Sequence, residues 1–365
     1  MNNLARNPAD EQQQPVAQAP QGIDAEIPAF MEMFTSLASI PMIQKAAHDF
    51  LGRFPPERRL GLASAMSWAN PFYLPEMSDE VAKSLAVNPN MIAELTMRAK
   101  LTASRAPQLN VLLACAPKSA STFIAGALQT ALGLPSAALF ASTPRIRAVS
   151  QMGGNLREQE PEELALIRNG LNGVGYVAQH HSRCTPYLSL MLKTYNVRPI
   201  VTHRNLFDTF ISLDDMIMGY RSDKDSDVGF YFSDGLPSNY GRLSLEDRLT
   251  ILVQRNTAWF IQFYVSWKKC ERAGLAQPLW VSYEKDFLAD KQGLAQRVIG
   301  HLGLNSDDAA KLLDAFEDKR DGAAKRLNKG VAGRGSAMPQ SVRDIIERTA
   351  HFYRDELDLS PLLQG

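Results

Sequence analysis

The sequence predicts an α/β protein: a mostly parallel central sheet flanked by helices, preceded by a helical N-terminal extension. Three observations predict it. Apolar runs at 109–116 and near residues 176, 200 and 280 alternate with helical patterns through short turns. Hydrophobic residues make up 45% of the 365 positions, enough for a sizeable core. The stretch 109–132, LNVLLACAPKSASTFIAGALQTAL, sets an apolar strand, a polar turn and a helix start in direct succession.

The elements are taken in chain order. Residues 1–22 are rich in Gln, Asn, Pro and Ala with few large apolar side chains, the composition of a disordered tail. Residues 23–106 are helical by pattern, with Phe30, Met33, Phe34 and Leu37 on one face. Pro41, Pro55, Pro56 and Pro71 punctuate the region, and Ser78-Asp79-Glu80 marks a helix start. It reads either as a helical layer on the core or as a dimerisation or acceptor-selecting module. Residues 107–365 form the main domain. After the first strand and helix come a strand at 175–179 and another at 199–203. The next helix carries Phe207, Phe210 and Ile211 on one side. Residues 217–244 lack any period, and an irregular stretch of that length is often functional. A helix over 245–273, with Trp259, Phe260, Phe263, Tyr264 and Trp267, reads as core. A strand at 279 and a helix over 288–304 complete the pattern.

Composition excludes several function classes. Lys+Arg and Asp+Glu are equal at 39 each, so no bulk field draws the chain to nucleic acid or to a membrane. An electropositive site must be local. No stretch reaches the roughly 18 apolar residues of a membrane span, and the N-terminus lacks a secretory pattern. Cys115, Cys184 and Cys270 are far apart and odd in number, which reads as reduced thiols in the cytoplasm. No H-E-x-x-H and no paired C-x-x-C occurs, so no metal is expected.

The turn at 117–122 is an anion cradle by construction. The first N–H groups of a helix have no intrahelical partner and point into the preceding loop. Lys118 adds a positive charge, and Ser119, Ser121 and Thr122 add hydroxyls. Phosphate or sulfate is the natural guest. The loop is not a Walker A, because Lys118 follows a proline at the start of the turn and no glycine frames it.

The run Pro117-Lys118-Ser119-Ala120-Ser121-Thr122-Phe123 resembles the phosphosulfate loop of the sulfotransferases, P-K-S-G-T-T-W. Those enzymes use 3′-phosphoadenosine 5′-phosphosulfate (PAPS). Ala120 stands at the usual glycine and Phe123 at the tryptophan. A second element, RPIVTHRNLFDTFISL over 198–213, resembles the family's 3′-phosphate motif. Arg204 and Ser212 keep its eight-residue spacing, Asp208 occupies its aspartate, and Leu206 replaces its proline. Arg204 offers a planar fork for two phosphate oxygens. LWVSYEKDF resembles the Y-E-D-L segment, whose tyrosine, here Tyr283, lies near the adenine. RLNKGVAGRG resembles the C-terminal loop that closes over the nucleotide, with Lys329, Gly330 and Gly333 matching. Asn328 stands at the usual arginine, and Arg326 or Arg334 could supply that charge. The resemblance implies a P-loop NTPase-like sulfotransferase fold.

The resemblance also implies a catalytic histidine between the two phosphate motifs, commonly in K-T-H. This chain has Gln179-His180-His181, so the lysine is absent. Spacing to Arg204 favours His181 over His180, with a one-residue shift left open. Adjacent residues at a strand end point to opposite sides. At most one histidine is therefore expected to face Lys118, and the other to be buried against a helix or turned to solvent. The implied activity is transfer of a sulfuryl group from PAPS to an acceptor hydroxyl, on a carbohydrate or glycolipid by family analogy. Two alternatives stand beside it: a nucleotide-binding protein of the same fold without turnover, and a P-loop kinase. The sequence does not give the oligomeric state.

Overall fold

The computed structural model describes residues 22–35, 37, 39–70, 72–139, 158–221, 236–317 and 332–364, without the side chains of 220 and 221. The tail expected through residue 22 lies outside these up to residue 21, as do Arg326, Asn328, Lys329 and Gly330. Two compact units divide at Pro75 and Glu76.

The first unit holds α1 (Ile27–Thr35), α2 (Ile40–Leu51) and α3 (Pro56–Ala69). Phe34, Ile43, Ala47, Ala63, Met66 and Tyr73 form its core, with Phe30 and Leu37 packed against it. The Asn70 side chain donates to the carbonyls of Phe34 and Leu37 and ties off the end of α1. Met33 departs from expectation: it is 41% exposed. It sits at the edge of the apolar stripe, and a core built by only three helices covers a narrow stripe.

The second unit begins with α4 (Asp79–Ser84) and α5 (Pro89–Arg105), which precede β1 (Leu109–Cys115) and α6 (Ser121–Leu132). Then come β2 (Ser136–Ala137), α7 (Glu163–Gly170), β3 (Gly175–His180), α8 (Pro186–Thr194) and β4 (Val197–His203). After them lie α9 (Leu206–Arg221), α10 (Leu245–Arg272), β5 (Leu279–Ser282), α11 (Lys291–Leu302), α12 (Ser306–Glu317), α13 (Gln340–His351) and α14 (Ser360–Leu363). Of the irregular stretch expected over 217–244, residues 217–221 belong to α9, and 222–235 lie outside the described residues. The helix expected from residue 288 starts at Lys291, because Tyr283–Leu288 forms one wide π-helical turn and Asp290 caps α11.

The sheet has five parallel strands in the order β2-β3-β1-β4-β5. β1 is therefore central, as its apolar run from Val111 to Cys115 requires. Alternate residues serve opposite faces. Leu112 and Ala114 join α9, α10 and α13 in one core, while Val111 and Leu113 join α6, α11 and α12 in the other. Three register pairs, Ala114 with His180, Cys115 with Thr202 and His203 with Ser282, bring the carboxyl ends of β3, β1, β4 and β5 level. That edge is where open parallel sheets bind ligands.

Gly175 starts β3 with φ of +93°, and a Cβ there would lie 2.2 Å from the Leu109 carbonyl oxygen. Gly175→Ala is expected to lower the unfolding free energy by about 2–3 kcal/mol, through strain at a positive φ and a backbone clash. Urea denaturation checks this; a loss below about 1 kcal/mol would contradict the β1–β3 pairing described.

Candidate functional site

The loop between β1 and α6 owes its shape to two left-handed residues, Lys118 (φ +69°) and Ala120 (φ +61°). Helix α6 begins without a side-chain cap. Its first-turn amides at Ser121, Thr122 and Phe123 therefore face the loop rather than a capping oxygen.

The structure separates the loop's side chains by task. Ser119 is buried, and its hydroxyl donates to the Ala116 carbonyl at 2.6 Å while sitting 2.6 Å from Thr202 Oγ1. That hydroxyl pins the loop to β4 and has no proton left for a ligand, contrary to its expected donor role. The Phe123 ring packs edge-on to Phe287 in the core, so only its backbone faces the loop. Ser121 Oγ accepts from the Gln179 amide at 2.9 Å, and Thr122 Oγ1 lies 3.4 Å from the same nitrogen. Gln179, at the place of the expected lysine, thus steadies the loop hydroxyls with a neutral donor.

Lys118 is the loop's charge. Burial pulls its pKa down from 10.5 to about 8, the Arg204 and Arg334 cations push the same way, and Asp215 opposes them. A lysine held like this gains most from an arriving anion, which restores its charge.

Arg204 leaves β4 buried to 5% side-chain exposure. It donates to the Lys118 carbonyl at 3.1 Å. Asp208 lies 3.6 Å away, Glu284 3.9 Å away, and the Tyr283 ring sits 4.0 Å beneath the guanidinium. Tyr283 is thus placed under Arg204, with its pKa raised by burial. Ser212 is buried two turns further along α9.

The C-terminal loop reaches the same place. Asp208 accepts the Gly333 and Gly335 N–H groups at 2.8 and 2.5 Å. A Cβ on Gly335 would lie 2.5 Å from Phe207 Cβ, so the loop lies flat on α9. Between these glycines, Arg334 extends to Asp215 at 2.5 Å. Arg334 is therefore the loop cation near Lys118. Asp215 has no signal in the sequence, since its pairing follows only from the fold.

The two histidines at the end of β3 differ sharply. His180 is fully buried. Its Nε2 accepts the Leu139 N–H at 3.0 Å, which leaves Nδ1–H to donate to the Gln159 carbonyl at 3.1 Å. Burial lowers its pKa to about 4. Both nitrogens are occupied, so it holds the chain rather than moving protons. His181 is oriented by the turn before the loop: Nδ1–H donates to the Cys115 carbonyl at 2.8 Å, with Cys115 Sγ at 3.4 Å. That bond fixes the tautomer and leaves the Nε2 lone pair available. Burial disfavours its charged form, but Cys115 and the Glu158 carboxylate outweigh burial and raise its pKa above 6.5.

Glu158 also braces this corner, accepting from Arg183 N–H, Arg183 Nε and Trp259 Nε1. Among the described residues, no cluster of His, Cys, Asp or Glu could hold a metal ion, and no helix is long and apolar enough to cross a membrane.

The left-handed Ala120 yields a prediction. Ala120→Gly is expected to raise stability by about 0.5–1 kcal/mol, because relief of the Cβ strain exceeds the entropy lost to glycine. Chemical denaturation measures it; a destabilised variant would contradict the loop conformation.

No family model matches the chain, and no curated protein does. A solved structure with a similar fold is the mouse sulfotransferase SULT7A1 complexed with PAP. It is 14% identical, with a TM-score of 0.46, over 71% of this chain and 89% of that one.

Proposed function

We propose that this chain is a PAPS-dependent sulfotransferase of the cytoplasm acting on an acceptor hydroxyl, on a carbohydrate or glycolipid by family analogy. The observation that supports the reading is the Arg204 bond to the Lys118 carbonyl, with His181 held on Cys115 just before the same turn. In this reading Lys118, Arg204 and the first-turn amides of α6 would hold the anion, and His181 would be the base. A kinase reading finds less support, since no glycine-framed P-loop lysine is present.

The residues fit an adenosine bisphosphate-type donor. The α6 amides and Lys118 would hold the transferable end, and Arg204 with Ser212 the 3′-phosphate. The donor would supply an activated sulfuryl group. His181 Nε2 would take the acceptor proton as the new oxygen–sulfur bond forms. Lys118 and the loop N–H groups would stabilise the negative charge left on the departing phosphate oxygen. His180 acts only by fixing the strand end. Asn328, Lys329 and Gly330, at positions matching the family's closing loop, would complete the nucleotide contacts. One observation favours the reading without turnover: Gln179 gives the loop a neutral donor where the family commonly has a lysine.

The test is transfer of label from PAPS to an acceptor pool, followed by mass spectrometry for the added sulfo group. Lys118→Ala is expected to lower turnover by about 10²–10³-fold with the fold intact. His181→Ala should lower turnover at saturating donor and leave nucleotide affinity unchanged. Nucleotide binding without transfer in the wild type would establish the reading without turnover. ATP binding with Mg²⁺ would establish the kinase.

The pH profile is a further prediction. His181 must be neutral to act, so kcat/KM for the donor falls as pH drops through its raised pKa, above 6.5. Lys118 must be charged, so the rate falls again as pH rises through about 8. The expected profile is a bell between these limbs. In Lys118→Ala the alkaline limb should disappear; its persistence would assign that limb to another group.

A further inference from the structure

Helix α9 carries two neighbouring aspartates with different surroundings. Asp214 is buried and fully engaged: Arg248 grips both its oxygens at 2.9 and 3.0 Å, and Tyr240 OH donates at 2.8 Å. It is a strut between α9 and α10. Asp215 is one position further round the helix, 34% exposed, and pairs with Arg334 at 2.5 Å. Arg334 lies between Gly333 and Gly335, whose amides are fixed on Asp208, and Asp208 lies beside Arg204. The Asp215–Arg334 pair is therefore at the rim of the phosphate-binding residues, on the same two elements that build them.

The charge balance there is unusual for an anion site. Lys118, Arg204 and Arg334 are countered by Asp208, Glu284 and Asp215. Asp208 accepts backbone N–H groups of the C-terminal loop, and Glu284 accepts the Asn205 N–H at 3.1 Å. These two shape the site and cannot leave without dismantling it. Asp215 instead engages a side chain of the loop, in a part-buried pair with Arg334 16% exposed. A phosphate offers that guanidinium two charge-assisted hydrogen bonds.

The geometry points to Asp215 as a resident counter-anion of the nucleotide site. It holds Arg334 when no ligand is bound, yields it to a ligand phosphate, and recaptures it as the nucleotide departs. This rests on the nucleotide-binding reading given above. Asp215 thereby weakens nucleotide affinity and speeds release, a useful property where a product shares all its phosphate contacts with the donor. If Asp215 served only to position Arg334, its loss would have the opposite effect on affinity.

The experiment is calorimetry and stopped-flow release with adenosine 3′,5′-bisphosphate on the full chain. Asp215→Asn is expected to tighten binding about 5–10-fold, chiefly through slower dissociation. The gain should shrink between about 0.05 and 0.5 M NaCl. Asp215→Ser, a smaller side chain, should behave alike. In an Arg334→Gln background, Asp215→Asn should give no gain, which shows that the two residues act on each other. Wild type that binds, with both variants folded and no tighter, would overturn the inference and leave the nucleotide reading standing. Wild type and variants that all fail to bind would overturn both. Binding by Asp215→Asn alone would support the inference in its strongest form.

Discussion

The buried guanidinium of Arg204 is the contact on which the site depends. A charge this deep is tolerable only where hydrogen bonds and opposite charges replace the water it has lost. Here the replacements come from three parts of the chain: the Lys118 carbonyl, Asp208 on α9, and Glu284 with the face of Tyr283 after β5. Satisfying one side chain therefore assembles the strand-end loop, the start of α9 and the turn after β5 around a single point. Asp208 then extends the assembly to the C-terminal loop through Gly333 and Gly335. The same planar fork that organises the site is suited to phosphate, so structural need and binding capacity coincide in one group.

The loop opposite Arg204 carries the cost. Two residues with side chains adopt left-handed conformations, and a lysine is held where burial and two arginines depress its pKa. Strain and unfavourable charge of this kind persist where surrounding structure enforces them. The enforcement is visible. Ser119 pins the loop to β4, Arg204 holds its carbonyl, and Gln179 bridges its hydroxyls to β3. Under the proposed reading, an arriving anion would relieve the cation crowding and meet the uncapped first-turn amides of α6.

The sequence reveals the parts of this arrangement that are local. An apolar run flanked by a turn and a helix start gives the central strand, because a doubly covered strand has no polar face to interrupt it. Arg204 is legible from its place at a strand end. The distant pairings are not. Asp208 meets glycines 125 and 127 residues away, and Arg334 meets Asp215 across 119 residues. No periodicity encodes such contacts; they follow from the strand order. The Ser119 hydroxyl shows a finer limit. Its residue type suggests a ligand donor, but whether it turns inward depends on Thr202, which the sheet register places beside it.

The paired histidines show how register alone divides one residue type into two roles. A strand alternates its side chains, so His180 enters the layer between β3 and the segment around Gln159. His181 turns towards the end of β1. Burial without a counter-charge keeps His180 neutral, and two backbone partners consume both its nitrogens. The Cys115 carbonyl consumes one nitrogen of His181 and thereby fixes where the other lone pair resides. Cys115 immediately precedes Ala116 and the phosphate-binding turn. The group that orients His181 and the turn at 117–122 thus follow one another on the central strand β1. A backbone carbonyl, not a flexible side chain, holds the imidazole, and under the proposed reading this would preorganise proton transfer beside the loop.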